Sequence, residues 1–314
     1  MVRFGVQLWQ EEFDYEGLKN AWREVENMGY DSAWIYDHFY PMAKNTSRYI
    51  FEAWTLLPLL AAETEKLRLG VLVSCNSYRY PSILAKIAAT VDVISNGRLE
   101  FGIGAGWHKG EHDAYGIDFP SARTRVKRLS EAIELIKRIW TEEKASFEGK
   151  YYKARNLISY PKPLQKPYPP VWIGGKSNRL LEVAAQHADY ANLAQCSVEQ
   201  FRERLEALRR KCVAVGRNFS SIEKTWHGII IVAEEREAKR RALQYLQNTE
   251  VGALKNLTPE DFLERIIAGT PEQCVDKIEQ FVDLGATYFI PHFPFVKELN
   301  ALRVFIEEIA SSFV

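Results

Sequence analysis

The chain has 314 residues, with 41 Lys and Arg against 41 Asp and Glu, so its formal net charge is zero. This balance argues against a nucleic-acid-binding protein, because phosphate contacts require a net basic surface or a basic block. Apolar residues at 46% and charged residues at 26% exclude a disordered chain. No apolar stretch reaches the ~18 residues of a membrane span. We therefore expect a soluble, enzyme-sized protein with no nucleic-acid or membrane partner.

The cysteines and the chain start indicate a location. Four cysteines are dispersed without a CxxC pair, which is typical of reduced thiols in a cytoplasmic protein. Residues 1–4 contain no basic segment followed by an apolar one, so we expect no export and a cytoplasmic location. Because no repeat or low-complexity linker divides the chain, we also expect one domain over residues 1–314.

Short β-like segments alternate with amphipathic helical segments along the chain. Strands are predicted at residues 3–9, 32–36, 67–74, 99–104, 171–173, 190–193, 222–232 and 287–290. The first four begin about one βα unit apart. Eight alternations of this kind predict an α/β fold, a (β/α)8 TIM barrel, with a doubly wound open sheet as the alternative.

Three of the intervening helices have clear sequence signals. Asp14 can cap a helix that ends before Gly29. An apolar stripe with steps of three and four predicts a second helix over residues 126–140. Thr270 and Gln273 form a capping-box pattern that predicts a helix directly before the last strand.

Two intervals are too long for a simple repeat. Residues 104–171 contain one strong helix, a β excursion at 147–152 and a proline-rich segment that cannot join a central strand. Residues 232–287 contain two or three helices, including one predicted at 259–268. We expect insertions after strands 4 and 7 of the barrel.

Polar residues follow several strands at their carboxyl ends, where a barrel builds its active site. Asp37 and His38 follow the second strand, and His exchanges a proton near neutral pH. The alternative is a His that only bonds a loop carbonyl. The Gly-Gly-Lys-Ser-Asn segment at 174–178 opens a helix, and its small residues and free amides favour a phosphate. An ordinary glycine turn with a Ser cap is the alternative there.

Three other motifs do not carry a function. A Gly-x-Gly-x-Gly run at 102–106 is not a dinucleotide fingerprint, because Trp107 and Lys109 stand where glycines are needed. The His-x-x-Glu-His motif at 108–112 matches an inverted zinc-peptidase pattern, but glycines bracket it in a loop after a strand, so no metal is predicted. The charge run at 236–241 is typical of a solvated helix face.

Several of these stretches resemble the bacterial luciferase-like superfamily of flavin- and deazaflavin-dependent oxidoreductases, over nearly the whole chain. The most specific stretch is Gly-Arg-Leu-Glu-Phe-Gly-Ile-Gly-Ala-Gly-Trp at 97–107, and residues 37–39, 78–81 and 169–175 support it. The chain is most similar to the subgroup that uses coenzyme F420, a 5-deazaflavin. Relatives with reduced FMN share much of the pattern, so FMN is the alternative cofactor.

The resemblance implies where the cofactor binds. Its ring would lie at the C-terminal mouth of the barrel, and its phosphate at the start of the helix after the fifth strand, where residues 174–178 lie. A non-proline cis peptide is implied near Leu72–Val73. The expected cofactor-binding residues are Leu72, Val73, Ser74, Asn76, Gly104, Ala105, Gly106, Gly174, Gly175, Lys176, Ser177 and Asn178.

The same resemblance implies the roles of the catalytic residues. His38 would donate or accept the substrate proton, and Asp37 would fix either the cofactor ring or the histidine. The expected substrate pocket contains Trp9, Phe39, Trp107 and His292. Lysines that hold a sugar phosphate in some relatives have no match here, so the sequence does not support that substrate.

The predicted function is hydride transfer between F420 and a small organic substrate. An FMN-dependent monooxygenase is the alternative, and a catalytically inactive flavin-binding barrel is the second. Because relatives commonly pair through helices beside the second to fourth strands, we expect a homodimer. The apolar residues expected in its interface are Trp54, Leu56, Leu57, Leu59 and Leu60.

Overall fold

The computed structural model describes residues 1–42, 49–175, 177–252, 254–294 and 299–313 of the chain. Its strands are β1 (Arg3–Gln7), β2 (Ser32–Ile35), β3 (Arg68–Val71), β4 (Ser74–Cys75), β5 (Leu99–Gly104), β6 (Ala145–Glu148), β7 (Lys153–Leu157), β8 (Val171–Gly174), β9 (Tyr190–Ala194), β10 (Glu223–Val232), β11 (Ile267–Gly269) and β12 (Tyr288–His292). Its α-helices are α1 (Tyr15–Asn27), α2 (Ala53–Ala62), α3 (Pro81–Ile94), α4 (Lys109–Ala114), α5 (Ala122–Thr141), α6 (Asn178–His187), α7 (Val198–Ala214), α8 (Glu235–Asn248), α9 (Pro259–Arg265), α10 (Pro271–Asp283) and α11 (Asn300–Val304).

The parallel strands close into a barrel. Around the ring the order is β1, β2, β3, β5, β8, β9, β10 and β12. The short strand β4 follows β3 in the chain and, like β3, pairs with β5. The ring closes because β10 pairs with both β9 and β12, and β12 pairs with β1. The predicted (β/α)8 TIM barrel is therefore confirmed, and the open-sheet alternative is wrong.

Aromatic side chains fill the barrel interior around one buried carboxylate. Trp34, Trp172 and Tyr288 are fully buried and pack edge-to-face against one another. Glu100 lies among them, paired with Arg68 and accepting a hydrogen bond from Trp172 Nε1 at 2.5 Å. A buried charge is tolerated when it is paired and hydrogen-bonded, so this part of the interior is a packed core.

The predicted helix signals at the two ends of the chain are present. Asp14 accepts a hydrogen bond from the amide of Gly17 at the start of α1. Thr270 and Gln273 form a complete capping box at the start of α10. The stripe at 126–140 lies in α5, where its apolar side chains face the core.

Two predicted elements differ from the structure. The strand expected at 67–74 is divided into β3 and β4, and the Leu72–Val73 peptide between them is cis, as the resemblance implied. The helix expected at 259–268 ends at Arg265, and residues 267–269 form β11 along the outer half of β10. A strand of three residues has too short a pattern to be distinguished from the end of a helix.

Both predicted insertions are present. After β5, the chain forms α4, α5 and an antiparallel hairpin of β6 and β7, with the predicted β excursion at its turn. Asn76 Nδ2 donates a hydrogen bond to the Tyr152 hydroxyl at 3.1 Å, which attaches this hairpin beside β4. After β10, the insertion contains α8 and α9 before the chain returns to the barrel through α10.

The apolar stretch at 54–60 lies in α2 and packs mainly within the chain. Trp54, Leu56, Leu57 and Leu60 are buried in the core of the protomer, and Leu59 is 48% exposed. Of the five residues expected in a dimer interface, only Leu59 is therefore available for one. None of the described helices is long and apolar enough to span a membrane.

Candidate active site at the barrel mouth

A cavity of about 550 Å³ lies at the carboxyl ends of the barrel strands. Its size is within the usual range for a small-molecule site. Of the residues predicted for the site, those that line it are Trp9, Asp37, His38, Leu72, Val73, Ser74, Gly104, Ala105, Gly106, Trp107, Gly174, Gly175 and Ser177. Residues after five different strands therefore meet in one space, which follows from the parallel arrangement of the barrel.

His38 lies directly after β2, with its side chain 15% exposed. Its Nδ1 is 2.8 Å from Oε2 of Glu111, a fully buried residue of α4. The imidazole ring lies 5.4 Å from the ring of Trp107 and 5.5 Å from that of Tyr36, both of which line the cavity. Because Nδ1 is occupied, Nε2 is the nitrogen available to a molecule in the cavity.

Glu111 is held by four donors. Its Oε1 accepts hydrogen bonds from the amides of Phe39 at 2.6 Å and Tyr40 at 2.9 Å, and its Oε2 accepts from the Tyr78 hydroxyl as well as from His38. Burial alone would raise the pKa of Glu111. The hydrogen bond and charge of His38, with the hydrogen bonds from Tyr78 and Tyr40, outweigh burial and lower this pKa to about 2. Glu111 is therefore a carboxylate at neutral pH.

Asp37 has different partners from those of its neighbour His38. Its carboxylate forms a two-point ion pair with Arg79 at 2.7 and 2.9 Å, and it accepts a hydrogen bond from the Cys75 amide at 2.8 Å. Arg79 also pairs with Glu52. The histidine is thus held by Glu111, and Asp37 ties the end of β2 to the segment that follows β4.

Glycines shape the wall of the cavity beside the cis peptide. A Cβ at Gly104 would lie 2.7 Å from Val73 Cγ2, and one at Gly174 would lie 3.0 Å from Val73 Cγ1. Only glycines leave room for Val73 between β5 and β8. A flat group can lie against this wall without meeting a neighbouring side chain.

The predicted anion segment follows β8. Gly175 has φ +151°, a conformation that favours glycine, and a Cβ there would lie 2.1 Å from Leu180 Cδ1. Ser177 caps α6 by accepting a hydrogen bond from the Leu180 amide. Gly175 and Ser177 line the cavity, so the start of α6, with its free amides and positive dipole end, faces the same space as His38. Lys176 lies outside the described residues.

A second wall of the cavity comes from the ends of β1 and β10. Gln7 Nε2 donates to the carbonyl of Leu72 at 3.0 Å, and Gln7 Oε1 accepts from Trp9 Nε1 and from His227 Nε2, both at 2.9 Å. This network connects three strands around the cis peptide. Trp107 lines the same cavity and packs so closely on Gly252 that a Cβ at Gly252 would be 2.8 Å from Trp107 Cζ3.

Four predicted site residues do not line the cavity. Phe39 stacks between Tyr78 and Tyr115, with ring centroids 4.5 and 4.4 Å away. Asn76 bonds the hairpin, as described above, and Asn178 is exposed at the start of α6. His292 is buried and stacks on Trp9 at 3.9 Å, and burial together with the charge of His227 lowers its pKa to about 3. His292 therefore supports Trp9 from behind.

Several cavity residues were missed by the sequence reasoning. They are Gln7, Tyr36, Met42, Cys75, Ala122, Arg125, Val126, Leu180, Asn192, Ala194, Gln195, His227, Val251 and Gly252. Tyr36 ends a predicted strand and Gln7 lies near the end of another, so their position was a usable signal. Arg125 and Val126 come from α5, and Val251 and Gly252 from the insertion after β10, whose placement over the mouth no local pattern indicates.

The His-x-x-Glu-His motif at 108–112 has a structural explanation. His108 caps α4 by accepting a hydrogen bond from the Glu111 amide at Nδ1, Glu111 holds His38, and His112 Nδ1 donates to the His108 carbonyl at 2.9 Å. Among the described residues, no group of three or more His, Cys, Asp and Glu side chains is arranged to hold a metal ion.

The comparisons with known proteins agree with this barrel. The sequence model of the family described as "Luciferase-like monooxygenase" matches residues 1–288. The chain therefore belongs to the luciferase-like monooxygenase family, as the sequence resemblance indicated.

Two similar curated proteins depend on a deazaflavin. The chain is 28% identical to an F420-dependent glucose-6-phosphate dehydrogenase of Kineococcus radiotolerans, covering 93% of this chain and 91% of that protein. It is also 28% identical to an F420-dependent hydroxymycolic acid dehydrogenase of Mycobacterium tuberculosis, covering 92% and 82%. In fold it is similar to an F420-dependent secondary alcohol dehydrogenase in complex with an F420-acetone adduct, with a TM-score of 0.85, 19% identity, and 99% and 98% of the chains covered.

Proposed function

We propose that the protein is an F420-dependent oxidoreductase that transfers a hydride between coenzyme F420 and a small organic substrate, with His38 as the group that handles the proton. Its family and the F420-dependent relatives support the cofactor and the class of enzyme. The observation that carries the proposal is that His38, from β2, and the glycine segment after β8 line the same cavity.

The residues at the mouth fit a deazaflavin. Gly104, Gly174 and Val73 form a wall against which a flat ring can lie. Gly175 and Ser177, at the start of α6, would hold the phosphate of the cofactor through backbone amides. When bound, F420 supplies a carbon that accepts or donates one hydride.

His38 would move the proton that accompanies the hydride. When a substrate C–H bond is broken and its hydride leaves with two electrons, the adjacent heteroatom loses a proton, which Nε2 of His38 accepts. In the opposite direction Nε2 returns the proton to the reduced substrate. The walls formed by Trp9, Tyr36 and Trp107 would hold the substrate beside Nε2 and exclude water.

Turnover with a panel of substrates tests the proposal. The purified protein is mixed without oxygen with F420 and primary alcohols, secondary alcohols or glucose 6-phosphate, and with reduced F420 and the corresponding carbonyl compounds. We expect the deazaflavin absorbance to change with at least one member of the panel. The same protein with reduced FMN and air should consume no oxygen beyond the rate of free flavin. Oxygen consumption with FMN and no reaction with F420 would favour the monooxygenase instead.

The predicted assembly and location belong to the same proposal. We propose a cytoplasmic homodimer of single-domain protomers, in which Leu59 of α2 and Ile83 of α3, 48% and 58% exposed, contribute to the interface. Light scattering should give twice the mass of one chain at micromolar concentration. An Ile83→Asp variant should shift the protein toward the monomer, whereas a monomeric wild type would refute the dimer.

A further inference from the structure

The partner of His38 in this structure comes from another part of the chain, 73 residues away. The geometry points to Glu111 as a positioning residue that sets the tautomer of His38, so that Nδ1 keeps its proton and Nε2 alone exchanges one with the substrate. This inference rests on the proposed function in one respect only, namely that His38 handles the proton.

The hydrogen-bond pattern leaves one possibility for Nδ1. Glu111 is a carboxylate with its pKa lowered to about 2, so each of its oxygens can only accept. Oε1 accepts from two backbone amides, and Oε2 accepts from Tyr78. An imidazole nitrogen 2.8 Å from Oε2 must therefore carry a hydrogen. In neutral His38 this places the lone pair on Nε2, on the side of the ring away from Glu111.

The other charged and titratable groups around His38 do not provide this hydrogen bond. His108, whose ring is 5.9 Å away, accepts a hydrogen bond from the Glu111 amide at Nδ1, and burial lowers its pKa so that it stays neutral. The Tyr36 hydroxyl donates to Glu11 at 2.7 Å. Asp37 is neutralised by Arg79. Glu111 is thus the charged group in direct contact with the imidazole.

Glu111 also orients the loop that carries His38. The two amides bound to its Oε1 belong to Phe39 and Tyr40, directly after the histidine. One buried side chain therefore holds both the ring and the backbone next to it. A residue with this set of contacts serves orientation and tautomer choice together, as the buried carboxylate does for the histidine of a Ser-His-Asp triad.

Glu111→Gln separates the two roles. The amide oxygen of Gln can accept from the two backbone amides as Glu111 Oε1 does, which leaves its NH₂ group beside His38 Nδ1. That NH₂ group can only donate, so neutral His38 would have to move its proton to Nε2. The variant should therefore keep the conformation of the loop after His38, but His38 should lose the lone pair on Nε2. We expect proton acceptance, and with it substrate oxidation, to slow by about 10²–10⁴, the range typical of lost general-base catalysis.

Nitrogen NMR of the histidine side chains tests the tautomer directly and without substrate or cofactor. Samples are the ¹⁵N-labelled wild type, Glu111→Gln, Tyr78→Phe as the matched control, and His38→Asn to assign the His38 signals. We expect the Nδ1–H tautomer in the wild type and in Tyr78→Phe, which removes the other donor to Oε2 but keeps the carboxylate. Glu111→Gln should show the Nε2–H tautomer, because the NH₂ group beside Nδ1 can only donate.

The outcomes distinguish this inference from the proposed function. An Nε2–H tautomer of His38 in the wild type at neutral pH overturns the inference, even if no Glu111 variant folds. So does an unchanged tautomer in a folded Glu111→Gln protein. If the wild type shows the Nδ1–H tautomer and His38→Asn is nevertheless fully active, the role of Glu111 is supported and the proton role of His38 is refuted.

Discussion

Replacing His38 with Asn separates the chemistry of the site from its structure. Asn keeps a polar side chain at this position but cannot exchange a proton near neutral pH. If Nε2 handles the substrate proton, the single-turnover rate should fall by about 10²–10⁴. At about 1.36 kcal/mol for each factor of ten, this range corresponds to about 2.7–5.5 kcal/mol in the activation barrier. The affinity for F420 should stay within a few fold, because the proposed cofactor contacts lie on β5, β8 and α6.

The cost of this substitution in folding stability should be smaller. The substitution removes the 2.8 Å hydrogen bond between His38 and Glu111, while the Glu111 carboxylate keeps its hydrogen bonds from Tyr78 and two backbone amides. The free energy of unfolding should therefore fall by about 1–3 kcal/mol. Asp37→Asn is the contrasting variant: it breaks a buried two-point ion pair with Arg79 and should destabilise the fold by about 3–5 kcal/mol. The assays are single-turnover kinetics with saturating cofactor and urea unfolding.

One result would refute this reasoning. A His38→Asn enzyme with full activity and reduced stability would mean that the histidine only closes its loop. The proton would then need another carrier. His292 does not meet that need, because it lies behind Trp9 and its pKa is lowered to about 3 by burial and by His227.

Three further predictions follow from single contacts. Gly175→Ala should weaken F420 binding at least tenfold and lower the folding stability by about 1–3 kcal/mol, because φ at Gly175 is +151° and the new Cβ would lie 2.1 Å from Leu180 Cδ1. If a titration shows unchanged affinity for F420, the phosphate of the cofactor binds elsewhere. Gly252→Val should push Trp107 into the cavity and raise the KM for substrate while leaving F420 affinity unchanged. Burial and the charge of Lys137 lower the pKa of His187 to about 4 in the folded protein. As the pH falls from about 6.5 toward 4, His187 therefore becomes protonated in the unfolded chain but not in the folded one. Stability measured by urea unfolding should fall over this interval, and His187→Gln should reduce the dependence.

The barrel could be predicted from the sequence because its strands are short β-like segments that alternate with amphipathic helices, and the first four begin about one βα unit apart. The site residues that follow those strands directly, such as His38 and Gly175, were found for the same reason. The cis peptide at Leu72–Val73 was implied by the family resemblance, and nothing in the periodicity indicated that the third strand divides there. The insertion that places Gly252 over the mouth has no local signal, since its position depends on packing between distant elements.

The partners of the proposed catalytic residues were the hardest to predict. The resemblance left open whether Asp37 fixes the cofactor ring or His38, and adjacent side chains on an extended segment point apart. The pairs that form instead join His38 to Glu111 and Asp37 to Arg79, 73 and 42 residues apart. The sequence placed the motif that contains Glu111 in a loop after a strand. Its contact with the histidine could be seen only once α4 was placed beside the end of β2.

Equilibrium binding of the two cofactors tests the central claim most directly. The purified protein is titrated with F420 and, without oxygen, with reduced FMN, and the fluorescence of Trp9 and Trp107, which line the cavity, reports the bound ring. We predict saturable quenching by F420 with a micromolar or lower Kd and at least tenfold weaker binding of reduced FMN. Tight binding of reduced FMN with no quenching by F420 would contradict the account.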